Sequence, residues 1–169
     1  MHPLLIPPFT NDTLRRAVKD YLAGGDRKQR IVAKYGEISN WDTSNVTNMY
    51  QMFHNASSFN QSLNDWNVSN VEFMRAMFRD ATAFNQPLNH WNVSNVMNME
   101  SMFCNASSFN QPLNDWNVSN VMNMYGMFLG ASSFNQPLNT SGNKWNVSNV
   151  TNMVGMFCNA SSFNQPLNN

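Results

Sequence analysis

Three histidines, two cysteines and ten carboxylates are the side chains here that could hold a metal ion or move a proton. They are scattered. His2, His54 and His90 lie too far apart to form a ligand set, and neither Cys104 nor Cys158 stands near them in the chain. Zinc sites read from sequence place their ligands two to five residues apart in pairs, so no metal or other cofactor is expected. There is no glycine-rich phosphate loop, no nucleophile elbow and no fixed carboxylate pair. Serines such as Ser107 and Ser108 recur through the chain, as turn residues do, whereas catalysis needs a constellation that occurs once. No catalytic residue is assigned, and the chain is read as a non-enzyme.

The elements that position these groups come from repetition. The stretch Trp91 to Asp115, WNVSNVMNMESMFCNASSFNQPLND, recurs with tryptophans at 41, 66, 91, 116 and 145, a spacing of 25 residues three times and then 29. A period in that range marks stacked repeats, each unable to bury a core alone. Val96, Met99, Met102, Phe103 and Ala106 follow the spacing of one helix face, with Ser94 or Asn95 as the cap. Trp116 and Val118, two apart, fit a strand of three or four residues approached by Pro112. The predicted fold is therefore an α/β repeat solenoid, one short parallel strand and one short helix per repeat. Trp, Leu and Phe should stack in columns, and the asparagine rows at 45, 70, 95, 120 and 149 and at 60, 85, 110, 135 and 164 should bond to backbone or to each other.

Residues 1–35 differ. An extended, proline-rich lead-in precedes a helical stripe of Leu14, Ala17, Val18, Tyr21 and Leu22, closed by Gly24 and Gly25. A second helix runs from Asp26 to Tyr35 with Ile31, Val32 and Tyr35 inward and Gly36 as its stop. Seven of the ten basic residues fall here, the polar face of an N-terminal cap. The array of about five repeats occupies 36–169, with a four-residue insertion near 140–144. Cys104 and Cys158 sit at equivalent places two repeats apart, beyond the ~7 Å Cα reach of a disulfide, and read as free thiols.

Zero net charge and 12% charged residues give no basis for nucleic-acid or anionic-membrane binding, which need a basic patch. No apolar run is long enough to span a bilayer, and the opening MHPLLIPPFT lacks the layout of a signal peptide. An intracellular location is favoured on those grounds.

The helix LRRAVKDYL, then YGEISNWDTSNVTNMYQMF, then repeated WNVSNVxNMxxMFxxASSFNQPLN, resembles the BspA-like family of leucine-rich-repeat surface proteins over residues 11–169. The resemblance implies a right-handed leucine-rich-repeat-like coil that binds other macromolecules. Bacterial members are often secreted or lipid-anchored adhesins.

The expected function is a protein-interaction scaffold whose partner the sequence does not name. Its contact surface is expected beside the strand, at Asp65, Asn67, His90, Asn92, Asp115, Asn117, Lys144 and Asn146, where Asp65, His90, Asp115 and Lys144 form the variable column. Glu72, Arg75 and Arg79 should pair along the outside of a helix. Met153, Met156, Phe157, Phe163 and Leu167 in the last repeat form a candidate self-association surface, which makes a self-assembling structural component the first alternative. Carbohydrate or adhesin-like binding by the regular Asn and Ser rows is the second.

Overall fold

The computed structural model describes residues 6–138 and 145–167. The whole insertion at 140–144, Lys144 included, lies outside the described residues. Helix α1 (Asn11–Ala23) starts on Thr10, whose hydroxyl accepts from the Thr13 amide while Thr13 Oγ1 accepts from the Thr10 amide, a reciprocal cap. Its buried stripe of Leu14, Ala17, Val18 and Tyr21 covers the first coil, with Tyr21 edge-on to Trp41 at 5.9 Å; Leu22 is exposed. Helix α2 (Gly25–Tyr35) packs more loosely, with Ile31, Val32 and Tyr35 half-buried. It ends at Gly36, where φ is +77°, a conformation that glycine adopts without strain.

Beyond a three-residue 3-10 turn at Ile38–Asn40 the described chain contains no further helix and no strand. The α/β solenoid with a strand and a helix in every repeat is therefore incorrect, and the coils are not those of a leucine-rich-repeat solenoid. Each 25-residue unit is a succession of turns. Adjacent units meet through isolated single-residue parallel bridges, Asn48 to Phe73 to Asn98 to Asn123 to Asn152.

The reason lies in the segment predicted as helix. Val96, Met99, Met102, Phe103 and Ala106 are all fully buried, as the spacing requires. Their backbone, however, is interrupted by two left-handed residues, Ser101 (φ +53°) and Asn105 (φ +56°). The amides of Met99, Ser101, Phe103 and Asn105 donate to the carbonyls of Asn123, Tyr125, Met127 and Leu129 on the next coil, at 2.7–2.9 Å. Between them, Met102, Cys104 and Ala106 donate three residues back, to Met99, Ser101 and Phe103. An inward side chain every third residue thus arises from alternating local and inter-coil bonds rather than from an α-helix.

Packing distance rules out the helix independently. Phe103 stacks on Phe78 at 5.6 Å and on Phe128 at 5.7 Å, with planes within 6° of parallel. Helix axes need about 8–10 Å between them, so a helix in every coil would hold these rings too far apart. A second column, Phe59, Phe84, Phe109, Phe134 and Phe163, repeats at 5.9–6.1 Å beside the first. Near-parallel rings at that separation are offset-stacked, the arrangement that the ring quadrupole prefers.

The segment predicted as strand, Trp-x-Val, is not a strand either and lies between two turns. Trp91 and Val93 are both buried, yet the Trp91 amide bonds back to Leu88 and the Val96 amide to Val93. The indoles tie coil to coil: Trp66, Trp91, Trp116 and Trp145 Nε1 donate to the carbonyls of Ile38, Leu63, Leu88 and Leu113 at 2.7–3.0 Å.

Phe103→Ala removes one ring from the middle of this column. The expected cost is about 3–5 kcal/mol, read as a lowered urea midpoint, and a loss under about 1 kcal/mol would show that the ring is not packed as described.

A candidate binding groove

Numbering Trp as the first position, the residues at positions two to six make a tight corner in every coil. The side-chain oxygen of Asn67, Asn92, Asn117 or Asn146 accepts from the amide two residues on, at 3.0–3.1 Å. Asp42 does the same in the first coil, and the hydroxyl and amide bonds from Ser44 hold its carboxyl below the usual aspartate range. The corner buries the valine at position six, Val46, Val71, Val96 or Val121, and leaves positions five and seven on the outside.

Those two positions line a groove of about 960 Å³ that runs along the array. One wall is Asn45, Asn70, Asn95, Asn120 and Asn149; the other is Thr47, Glu72, Met97 and Met122. Both are fixed from below. Each asparagine from Asn70 onward donates through Nδ2 to the carbonyl of Ser44, Ser69, Ser94 or Ser119 on the preceding coil, at 2.7–2.8 Å. On the opposite wall the backbone forms an unbroken ladder: Glu72 to Thr47, Met97 to Glu72, Met122 to Met97 and Thr151 to Met122, each 2.8–2.9 Å.

The cap is tied to the first rung of the groove. Asn11, the first residue of α1, accepts the Thr47 and Asn48 amides at 2.9 and 3.1 Å and donates to the Thr47 hydroxyl. It satisfies donors that a preceding coil would otherwise take. Arg15 acts likewise on the Tyr50 carbonyl at 2.8 Å.

The second asparagine row follows expectation. Asn60, Asn85, Asn110 and Asn135 each accept the amide of their counterpart on the next coil, all at 2.9 Å. The glutamine beside that counterpart also bonds to them.

The residues singled out beside the tryptophans do not line this groove. Asp65, Asn67, His90, Asn92, Asp115, Asn117 and Asn146 are all exposed, and Lys144 lies outside the described residues. Asp65 and His90 approach to 3.4 Å. The asparagines beside the variable column, Asn67, Asn92, Asn117 and Asn146, serve the corner turns. Glu72, Arg75 and Arg79 do not pair with one another, because no helix brings them into register: Arg75 meets Glu100 at 3.0 Å on the next coil, and Arg79 meets Asp80. In the last coil Met156 is buried, Phe157 and Phe163 are half-buried, and Met153 and Leu167 are exposed. Val154, absent from that prediction, is the most open large apolar side chain in the coil at 68%.

Among the described residues no three His, Cys, Asp or Glu side chains come together to hold a metal ion. Among those same described residues no helix is long and apolar enough to cross a membrane. Both cysteines are free; burial raises the Cys104 thiol above its usual range, against a smaller opposing effect of the Arg79 cation.

The chain matches the family described as Mycoplasma protein of unknown function, DUF285, over residues 28–141 and again over 88–169. It belongs to that family. The two overlapping matches suit repeats that fit the DUF285 description in more than one register, and together they take in most of α2 and every coil. No curated protein and no solved structure matches. The DUF285 description carries no function and does not bear on the BspA-like resemblance.

The two thiols of this DUF285 protein should differ in reactivity. A raised pKa means less thiolate at a given pH, and thiolate is the reactive form. With a disulfide-exchange reagent at pH 8, Cys158 is expected to react in a fast phase and Cys104 in a slow one. Cys158→Ser should abolish the fast phase; a fast phase that survives would contradict the placement of both side chains.

Proposed function

We propose that the protein is a non-catalytic binding scaffold that takes an extended segment of a partner protein along its groove. One observation carries the reading. The groove's framework is made identically in coil after coil, by the asparagine-to-serine bonds and the position-seven ladder, while the side chains on that ladder change from Thr47 to Glu72, Met97 and Met122. A rigid frame with varied contents is what selective recognition requires.

The dimensions support a peptide. Five rungs at 4.7–4.9 Å give a groove of roughly 19 Å, which an extended chain of about six residues fills at 3.3 Å each. The contents are mixed: Met122 is 48% exposed, and methionine adapts its shape to whatever lies on it. Charge plays little part across most of this surface, in keeping with the neutral chain.

A random peptide library selected on the intact protein tests the proposal. Selected peptides are expected to lose binding to the Met97→Asp, Met122→Asp double variant and to keep it with Asp65→Ala, His90→Ala, Asp115→Ala. Peptides that depend on the second set and ignore the first would move the site to the tryptophan-side column. Retention on immobilised glycans that survives both sets would favour carbohydrate recognition by the Asn and Ser rows instead.

A further inference from the structure

Within the groove one side chain is unlike its neighbours. Glu72 is exposed and has no ion-pair partner among the described residues. Asp80, Glu100 and Asp65, on the same or an adjacent coil, are each within 3.5 Å of a basic side chain. Arg75, three residues from Glu72, is held by Glu100 at 3.0 Å and lies over the Tyr50 ring at 5.6 Å. The negative charge of Glu72 therefore faces the groove uncompensated, one rung before the two methionines.

We infer that the groove selects a peptide segment with a cationic side chain and, two residues away, an apolar one. This rests on the peptide-binding reading above and names its specificity. Met97 and Met122 lie about 4.8 and 9.6 Å along the array from Glu72 at one strand spacing per coil. In an extended chain the next side chain on the same side comes about 6.6–6.8 Å on, between the two thioethers, where both can close on it. The cation then sits over Glu72. Asn70 and Asn95 commit Nδ2 to Ser44 and Ser69, and their Oδ1 atoms accept no bond from a described residue, so they can take the peptide's own amides.

The test uses two fluorescent hexapeptides, threonine-lysine-threonine-leucine-threonine-threonine and its counterpart with glutamate for lysine, titrated against the full chain. The lysine peptide is expected to bind the native protein more tightly than the glutamate peptide. Glu72→Gln should weaken the lysine peptide about threefold to fivefold, the upper part of the range for a solvent-exposed ion pair, and Glu72→Lys should reverse the preference. Equal affinity of the lysine peptide for native protein and Glu72→Gln overturns the inference. If Met97→Asp, Met122→Asp still abolishes binding in that case, the groove reading stands and only the charge selection fails. If neither peptide binds the native protein, or neither set of variants alters binding, both fail.

Discussion

The inter-coil backbone hydrogen bond is the constraint on which this molecule depends. A chain segment can donate its amides to the next coil only if it does not use them in a helix, and the two left-handed residues of each coil enforce that choice. At position eleven they are Gln51, Ala76, Ser101, Gly126 and Gly155; at position fifteen Asn55, Asp80, Asn105, Gly130 and Asn159. With alternate amides turned outward, coils approach to the distance at which identical rings stack, and the columns of Phe and the indole-to-carbonyl bonds of Trp follow. Propensity and packing act in the same direction: neither the rings nor the ladder would form if either pair of left-handed residues reverted to helix.

The same logic explains how the ends and the surface are built. The first coil has donors and acceptors that nothing upstream can meet in the ordinary way, and Asn11 and Arg15 of α1 meet them with side chains. Apolar cover comes from Phe9 and Tyr21 against Trp41. Outside, position seven in the inner coils, Glu72, Met97 and Met122, combines a backbone fixed on both sides with a side chain that makes no hydrogen bond to the stack, so the groove can change its contents there without disturbing it.

Much of this was legible from the residues. The repeat period, the buried set from Val96 to Ala106, the two cap helices and the bonding of the asparagine rows all follow from spacing and residue type. The secondary structure of the coils did not, because burial at every third residue is common to an α-helix and to linked turns, and the helix is the commoner source of that pattern. The signal that distinguishes them was present at position fifteen, where Asn, Asp and Gly, the residues that tolerate a left-handed backbone, recur without exception. Gly126 and Gly130 in one presumed helix were a second warning. The groove was missed for a related reason: Trp-x-Val taken as a strand directed attention to the residues beside Trp, which are indeed exposed, whereas the corner turns expose positions five and seven as well.

Scalar couplings transmitted across hydrogen bonds, measured by NMR on deuterated protein, test the central claim most directly. The account predicts couplings from the amide of Phe103 to the carbonyl of Met127 and from that of Asn105 to that of Leu129. Couplings from Phe103 to Met99 and from Asn105 to Ser101, the four-residue pattern of an α-helix, would contradict it.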